Sequence, residues 1–341
     1  MSDKCFRVAV IGATGAVGQE ILRVLERRNF PVEKIKLLAS ERSAGKELDF
    51  QGRAHKVEAV SGESFRDIDY AFFSAGATRS REFVPAAVSA GAVVIDNSSA
   101  YRMDPSIPLV IPEVNPEDLE KHKGIIANPN CCAAILGVAI APIHRAAKVK
   151  SMIVSTYQSA SGAGAQAMQE LEEQCRDFAK GESLKKEAFP HQIAFNVFSH
   201  NSTIEENGYN GEENKIVAEV QKIFHAPDMP ISATCIRVPV LRAHSESINL
   251  TLENPLSPEE AAKLLEDAPG VEVIDDAAAN HFPMPLEATG KLDVLVGRVR
   301  KDPTTTNGLA LFVSGDQLLK GAAWNAVQIA ETLCSPVKKD C

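Results

Sequence analysis

The sequence predicts an α/β protein in which a parallel-sheet domain is followed by an α+β domain with a mostly antiparallel sheet. Short apolar runs alternate with helical patterns over about the first 128 residues, which favours a parallel sheet covered on both faces. Longer runs of alternating polarity follow, as in antiparallel strands. The length of 341 residues is enough for about two domains.

The first domain opens with a strand, a glycine-rich turn and a helix. Phe6–Ile11 is an apolar run of strand length, and residues 12–18 read GATGAVG. The helical pattern that follows carries Ile21, Leu22, Val24 and Leu25 on one side. Four further apolar runs are predicted as strands of the same sheet: residues 35–39, 70–74, 92–95 and 124–127.

The second domain is predicted from longer strands separated by helices. The strands are expected at residues 151–158, 233–240, 247–252 and 292–299. Helices are expected at residues 133–147, 165–180, 212–224 and 257–268, and residues 181–211 are expected to form a long loop. A last helix over 315–333 is expected to return to the first domain. The predicted domains are therefore 1–128 plus 316–341, and 129–315.

Composition excludes several classes of protein. Lys and Arg number 36 against 45 Asp and Glu, a net charge of -9 that lacks the basic footprint of a nucleic-acid binder. Seven cysteines without a CxxC pair fit neither a disulfide framework nor a structural zinc site, so no metal is expected. Residues 124–144 are uncharged but contain Asn128, Pro129 and Asn130, which favours a buried helix over a membrane span. A cytoplasmic protein is expected.

The glycine-rich turn is the predicted cofactor site. Gly12, Gly15 and Gly18 allow a tight turn, a close approach of a pyrophosphate and close packing of the helix. The N-H groups at the start of the helix are free to bind an anion. The spacing is GxxGxxG, but its place between a strand and a helix is the context that supports a Rossmann-type dinucleotide-binding domain. A simple tight turn is the alternative.

The end of the second strand predicts which dinucleotide binds. Ser40, Arg42 and Ser43 offer a guanidinium fork and hydroxyl groups that suit the 2′-phosphate of NADP. Glu41 in the same turn argues for NAD, and a solvent-exposed turn with one charge of each sign is the alternative to either.

Cys131 is a candidate nucleophile because it lies where a strand ends and an apolar helix begins. The helix dipole and free N-H groups at that position lower the pKa of a thiol. Position alone does not separate this role from that of a small buried apolar residue. His244 follows an alternating run and is the type of residue that transfers protons near neutral pH, although an isolated histidine is more often structural. Arg237 could bind a carboxylate through its guanidinium fork.

At these positions the chain resembles the bacterial aspartate-semialdehyde dehydrogenase family over nearly its whole length. The matching stretches are GATGAVG at 12–18, SSAYRMD at 98–104, IPEVNP at 111–116, NPNC at 128–131, TYQSASGAG at 156–164, EENK at 212–215 and RVPVLRAHSES at 237–247. The resemblance implies the two-domain architecture of glyceraldehyde-3-phosphate dehydrogenase. It also implies a homodimer built on the sheet of the second domain, and reversible conversion of aspartate semialdehyde, phosphate and NADP to 4-aspartyl phosphate and NADPH. That step belongs to the biosynthesis of lysine, threonine, methionine and diaminopimelate.

The resemblance also implies roles for individual residues. Cys131 would be the nucleophile, His244 the acid/base and Gln158 the residue that orients the reacting group. Arg237 would bind the α-carboxylate of the substrate and Glu212 its amino group, while Arg102 and Lys215 would bind phosphate. The cofactor contacts it implies are Gly12, Thr14, Gly15, Ala16, Val17, Gly18, Ser161, Gly162 and Asn325.

Two alternatives remain from the sequence. N-acetyl-glutamyl-phosphate reductase would use the same thiolate chemistry, but an acetylated amine has no charge for Glu212 to pair with. A non-catalytic NADP-binding relative would be expected to lack the thiol. The chain departs from the family pattern at Cys132, where other members often have a small hydroxyl residue. Because neighbouring helical side chains point about 100° apart, only one thiol can face the substrate, and Cys131 is the prediction.

Overall fold

The structure is a computed structural model that describes residues 5–334. Within these residues the chain divides into two compact units: unit 1 contains residues 5–130 and 322–334, and unit 2 contains residues 131–321. The strands are β1 (Phe6–Ile11), β2 (Val32–Ala39), β3 (Glu47–Phe50), β4 (Arg53–Ala59), β5 (Tyr70–Phe73), β6 (Val93–Asp96), β7 (Ile125–Ala127), β8 (Val149–Gln158), β9 (Phe198–Ser199), β10 (Ile231–Arg237), β11 (His244–Leu252), β12 (Val271–Val273), β13 (Val294–Lys301) and β14 (Gly308–Gly315). The α-helices are α1 (Ala16–Arg27), α2 (Ala77–Ser89), α3 (Cys131–Ala147), α4 (Ala165–Lys180), α5 (Gly211–Ile223), α6 (Pro258–Glu266), α7 (Pro285–Ala288) and α8 (Trp324–Cys334).

Unit 1 is built on a sheet whose strand order is β3-β4-β2-β1-β5-β6-β7. All neighbouring strands are parallel except β3 and β4, which form an antiparallel hairpin at the edge. Both faces are covered, since Ala9 and Ile11 pack in one apolar cluster with Val84 of α2 while Val8, on the other face, is also fully buried. Helices α1 and α8 contact each other, and they contact β1 and β6 respectively. The predicted parallel α/β arrangement is confirmed, and the β3–β4 hairpin was missed.

Unit 2 is built on a sheet of order β12-β13-β14-β11-β8-β10-β9. Two pairings, β8 with β10 and β12 with β13, are parallel and the others are antiparallel, so the prediction of a mostly antiparallel sheet is confirmed. Helix α3 lies against β11 and β14 and contacts α5 and α6. Along β8 the burial alternates: Val154 is fully buried, whereas Ile153 is 60% exposed. One face of this sheet is therefore packed and the other is open in the single chain.

The prediction of one helix over 315–333 is wrong. Residues up to Gly315 belong to β14, where backbone pairing with β11 and β13 holds them extended. A side chain at Gly315 would also collide with Ile135 of α3, since a Cβ there would lie 2.8 Å from Cγ1 of Ile135. A π-helical turn at Leu319–Ala323 follows, and the α-helix begins only at Trp324.

The predicted long loop is confirmed and is held against α4. Apart from β9, residues 182–210 contain no helix or strand longer than an isolated bridge. The carboxylate of Glu170 accepts hydrogen bonds from the main-chain N-H groups of Glu187 and Ala188, and Oε1 of Gln174 accepts two more, from Ile193 and Ala194 at 3.0 Å each. These contacts fix the path of the loop before β9.

Among residues 5–334, no helix is long and apolar enough to cross a membrane. Residues 131–147, which include most of the uncharged stretch, form α3, and its side chains from Cys132 to Ala141 are buried. The interpretation of this stretch as a buried helix is confirmed.

Candidate active site

Two thiols at the start of α3 lie beside His244. The sulfur atoms of Cys131 and Cys132 and one ring nitrogen of His244 all lie within 4.8 Å of one another. Cys131 is partly exposed, whereas Cys132 is fully buried. Because α3 begins at Cys131, the free N-H groups of the first turn also favour negative charge there.

The two thiols differ in pKa because their surroundings differ. A hydrogen bond from Cys132 and the nearby imidazole of His244 lower the pKa of the Cys131 thiol well below its ordinary value, although burial and the charge of Glu212 act in the opposite direction. Burial, together with the neighbouring Cys131, raises the pKa of Cys132 well above its ordinary value. Cys131 is thus the more acidic thiol of the pair, and Cys132 is the less acidic thiol that donates to it.

His244 is the first residue of β11 and is fully buried. Its Nδ1 accepts a hydrogen bond from the main-chain N-H of Ser159 at 3.0 Å, and the Ser159 hydroxyl lies at the same distance. A neutral ring that accepts at Nδ1 carries its proton on Nε2. Within the described chain Nε2 has no hydrogen-bond partner, so this proton is available to a reacting group.

The backbone beside His244 needs a glycine. A Cβ at Gly162 would lie 2.9 Å from Cε1 of His244 and 3.2 Å from Nη1 of Arg237. The short turn Ala160–Ala163 therefore allows both side chains to approach the same stretch of main chain. Ser161 in this turn is buried. Its hydroxyl lies 3.0 Å from the hydroxyl of Ser159 and accepts from the side-chain amide of Gln317.

Arg237 ends β10 with a guanidinium that is only partly satisfied. Nη1 donates to the carbonyl oxygen of Ser159 at 3.2 Å, and Nη2 lies 2.7 Å from Nε2 of His200. Its Nε is buried and has no hydrogen-bond partner among residues 5–334. A buried donor without a partner is costly in an apolar environment, and a carboxylate ligand would satisfy it.

Glu212, Gln158 and Lys215 form a second polar group. Glu212, in the first turn of α5, accepts from Nε2 of Gln158 at 3.3 Å and from Nζ of Lys215 at 3.4 Å. Gln158 ends β8 and its Oε1 is buried without a partner in the described chain. Because β8 and β10 pair in parallel with Gln158 opposite Arg237, the two side chains start from the same end of the sheet.

The predicted cofactor loop has the geometry that a pyrophosphate requires. Gly12 adopts a φ of +83°, and a Cβ there would lie 2.7 Å from the carbonyl oxygen of Ser74. A Cβ on Gly18 would overlap the carbonyl oxygen of Gly12, so only glycine allows α1 to begin this close to β1. Thr14, Ala16 and Val17 complete the loop and the first turn, and no side chain caps the helix. The loop therefore fits a dinucleotide phosphate.

The proposed 2′-phosphate turn lies directly after β2. Ser40 precedes a short 3₁₀ turn over Glu41–Ser43, which contains Arg42 and Ser43; Ser40 and Arg42 are exposed and Ser43 is buried. The exposed guanidinium and the serine hydroxyls remain a suitable set for a phosphate group.

Two other predicted residues are buried within unit 1. Nε of Arg102 donates to the carbonyl oxygen of Asn128 at 2.9 Å, and Nη2 donates to that of Asn97 at 2.7 Å. The amide of Asn325 donates to the carbonyl of Val110 and, at 2.6 Å, to Oδ1 of Asn128. Both side chains thus hold the segment that leads to the start of α3.

Some groups in the site were not predicted from the sequence. Ser159 accounts for the position of the His244 ring; it lies in the matching stretch 156–164 but received no role there. His200 contacts Arg237 and stands in no pattern that signals a role. In the described residues the one group of three potential metal donors is Cys131, Cys132 and His244. A metal bound there would occupy the sulfur of Cys131, the predicted nucleophile.

Comparison with known proteins identifies the family. Residues 7–122 match the model of the semialdehyde dehydrogenase NAD binding domain, and residues 140–320 match that of the semialdehyde dehydrogenase dimerisation domain. Aspartate-semialdehyde dehydrogenase of Synechocystis is 54% identical over 96% of this chain and 97% of its own. The Aquifex aeolicus enzyme of that name is 52% identical over 96% and 98%. The chain belongs to the aspartate-semialdehyde dehydrogenase family.

Solved structures agree with this membership. A crystal structure of aspartate semialdehyde dehydrogenase II from Vibrio cholerae, complexed with ASA, matches with a TM-score of 0.94 and 44% identity over 97% of this chain and 98% of that one. The Candida albicans aspartate semialdehyde dehydrogenase with NADP matches with a TM-score of 0.76 and 25% identity, over 97% and 98%. Like these relatives, this member of the aspartate-semialdehyde dehydrogenase family has a nucleotide-binding unit and a second mixed sheet.

Proposed function

We propose that this protein catalyses the reversible NADP-dependent conversion of L-aspartate 4-semialdehyde and phosphate to L-4-aspartyl phosphate. The observation that carries the proposal is the Cys131 thiolate, which lies at the start of α3 with a proton-bearing nitrogen of His244 nearby. A thiolate and a proton donor are what an aldehyde requires to become a covalent thiohemiacetal.

The reaction has two halves, formation of a thioester on Cys131 and its cleavage by phosphate. The Cys131 sulfur attacks the aldehyde carbon, and Nε2-H of His244 donates a hydrogen bond to the developing oxyanion. NADP supplies the hydride acceptor. Loss of hydride from the thiohemiacetal carbon leaves a thioester on Cys131. A phosphate oxygen then attacks the thioester carbonyl, the carbon-sulfur bond breaks and the thiolate is regenerated.

The amino-acid end of the substrate is held by opposite charges. Arg237 binds the α-carboxylate through its unsatisfied Nε, and Glu212 binds the ammonium group. Gln158 orients the reacting group, and Lys215 and Arg102 bind phosphate. N-acetyl-glutamyl-phosphate reductase is the weaker alternative, because its substrate lacks the ammonium charge that Glu212 would pair with.

The chain offers groups for each part of the cofactor. The loop of residues 12–18 would hold the pyrophosphate, and Arg42 with Ser40 and Ser43 would hold the 2′-phosphate. Ser161, Gly162 and Asn325 would take part around the nicotinamide and its ribose. The protein acts as a homodimer in the cytoplasm, within the biosynthesis of lysine, threonine, methionine and diaminopimelate. The open face of the second sheet supports the dimer, since Ile153 and Tyr157 are exposed on it.

Phosphate-dependent reduction of NADP with aspartate semialdehyde tests the proposal. We expect turnover by the wild type and by Cys132→Ala, and loss of turnover in Cys131→Ala. Activity with N-acetyl-glutamate semialdehyde instead would assign the alternative substrate. Cofactor binding without turnover of either aldehyde would indicate a non-catalytic relative.

A further inference from the structure

His200 lies between the two side chains proposed to hold the amino-acid end of the substrate. It directly follows β9, which pairs with the end of β10, and its main-chain N-H donates to the carbonyl oxygen of Cys235 at 2.8 Å. Its backbone is therefore fixed to the strand that carries Arg237. Nε2 of its ring lies 2.7 Å from Nη2 of Arg237.

Both ring nitrogens of His200 contact the groups that the ring lies between. Nε2 faces Nη2 of Arg237, and Nδ1 lies 3.1 Å from the hydroxyl oxygen and 3.2 Å from the main-chain nitrogen of Ser202. Burial and the charge of Arg237 lower the pKa of His200 to about 4, which keeps the ring neutral near pH 7.

The Ser202 hydroxyl continues the chain of contacts to α5. It donates to Oδ1 of Asn210, the N-cap of α5, at 3.1 Å, and it accepts from the main-chain N-H of Glu212, also at 3.1 Å. A side-chain amide and a hydroxyl thus fix the first turn of the helix that carries Glu212.

We infer that His200 and Ser202 form a linker that sets the spacing between the guanidinium of Arg237 and the carboxylate of Glu212, and so selects aldehydes that carry an adjacent carboxylate and ammonium group. The inference rests on the proposed function. His200 and Ser202 are positioning residues, since their contacts are with the binding side chains and not with the thiol. A guanidinium and a carboxylate held at a fixed separation match an α-amino acid and discriminate against an aldehyde that lacks either charge.

The test compares His200→Ala and Ser202→Ala with the conservative variants His200→Gln and Ser202→Thr. Because the linker holds only the binding groups, we expect KM for aspartate semialdehyde to rise about tenfold in each alanine variant, with kcat within about twofold of wild type. Glutamine keeps an acceptor for Arg237 and a polar group that can reach Ser202, and threonine keeps the hydroxyl, so both should restore KM to within about threefold.

Three further measurements separate a linker from general damage. The double alanine variant should raise KM no more than the larger single variant, because the two residues act as one unit. The ratio of kcat/KM for aspartate semialdehyde to that for succinate semialdehyde, which lacks the ammonium group, should fall in both alanine variants. The alkylation rate of Cys131 by iodoacetamide should stay at the wild-type value, since no substrate is involved.

Wild-type turnover of aspartate semialdehyde decides the proposed function before any variant is compared. With turnover established, an unchanged KM in the alanine variants would overturn the linker. An equal loss of kcat/KM for both aldehydes, multiplying effects in the double variant, or slower alkylation of Cys131 would each show structural damage instead and would also overturn it.

Discussion

At the scale of single residues, the two adjacent thiols of α3 differ because of what surrounds each sulfur. The hydrogen bond from Cys132 is the largest of the effects that lower the pKa of Cys131. In Cys132→Ala this donor is lost, so we expect the alkylation-pH profile of Cys131 to move to higher pH, with alkylation at pH 6.5 slowed about three- to tenfold. Cys132→Ser keeps a donor and is the matched control. Identical profiles for the alanine variant and the wild type would assign the low pKa to His244 and the helix dipole alone.

Glu246, two residues after His244, is a fully buried carboxyl group whose oxygens have no hydrogen-bond partner among residues 5–334. It is opposite Thr156 of β8, whose hydroxyl is likewise unsatisfied. Burial and the nearby Cys131 raise the pKa of Glu246 well above its ordinary value, while the Cys132 thiol acts weakly in the other direction. Folding therefore favours the protonated, neutral form of this carboxyl group.

The raised pKa predicts a pH-dependent stability difference for Glu246→Gln. At a pH between the pKa of Glu246 in the unfolded chain and its pKa in the folded protein, only the folded protein holds the proton. The free energy of unfolding of the wild type therefore falls, relative to that of Glu246→Gln, by about 1.4 kcal/mol for each pH unit of increase. The two proteins should differ least in their free energy of unfolding at pH 4. Urea unfolding at fixed protein concentration, from pH 4 to pH 8, measures it, with the exposed Glu58→Gln as the control. Parallel stability curves for wild type and Glu246→Gln would contradict a neutral carboxyl group.

At the scale of elements, the turn Ala160–Ala163 works because residue 162 has no side chain. In Gly162→Ala the new Cβ would press on the imidazole of His244 and the guanidinium of Arg237. Displacement of both by a fraction of an ångström should lower kcat/KM about a hundredfold. Gly62→Ala, where a Cβ would meet nothing within 4 Å, is the control. Activity of Gly162→Ala close to wild type would mean that His244 has room to move without cost.

The elements also show what the sequence could predict. The strand at Phe6–Ile11 and its glycine turn were predictable because apolar period and glycine spacing are local signals. The β3–β4 hairpin lacks such a signal, since its strands are largely exposed and polar. The last helix was predicted to begin too early because Leu319 and Ala322 of the π-helical turn also fit a helical period. Only the pairing of Gly315 with His244 of β11 shows that the strand extends to that residue. His200 gains its role through Arg237 and Ser202, whose contacts arise from tertiary structure.

At the scale of the whole molecule, the open face of the second sheet should be where two chains meet. Ile153 is 60% exposed on this face, and an aspartate there would place a charge in an apolar interface. We expect Ile153→Asp to shift the protein from dimer to monomer in sedimentation velocity at micromolar concentration. Lys56→Glu, an exposed substitution in unit 1, should leave the dimer intact. A dimeric Ile153→Asp protein would place the interface on another surface.

The chain enters unit 2 after Asn130 and returns to unit 1 at Ala322, so unit 1 is assembled from two distant pieces. During synthesis on the ribosome the whole of unit 2 emerges before α8 does. Unit 2 is one continuous segment that is complete before α8 is translated, whereas unit 1 is complete only once α8, which begins at Trp324, has emerged. The glycine loop is thus among the first parts translated, yet the unit that contains it is among the last to be completed.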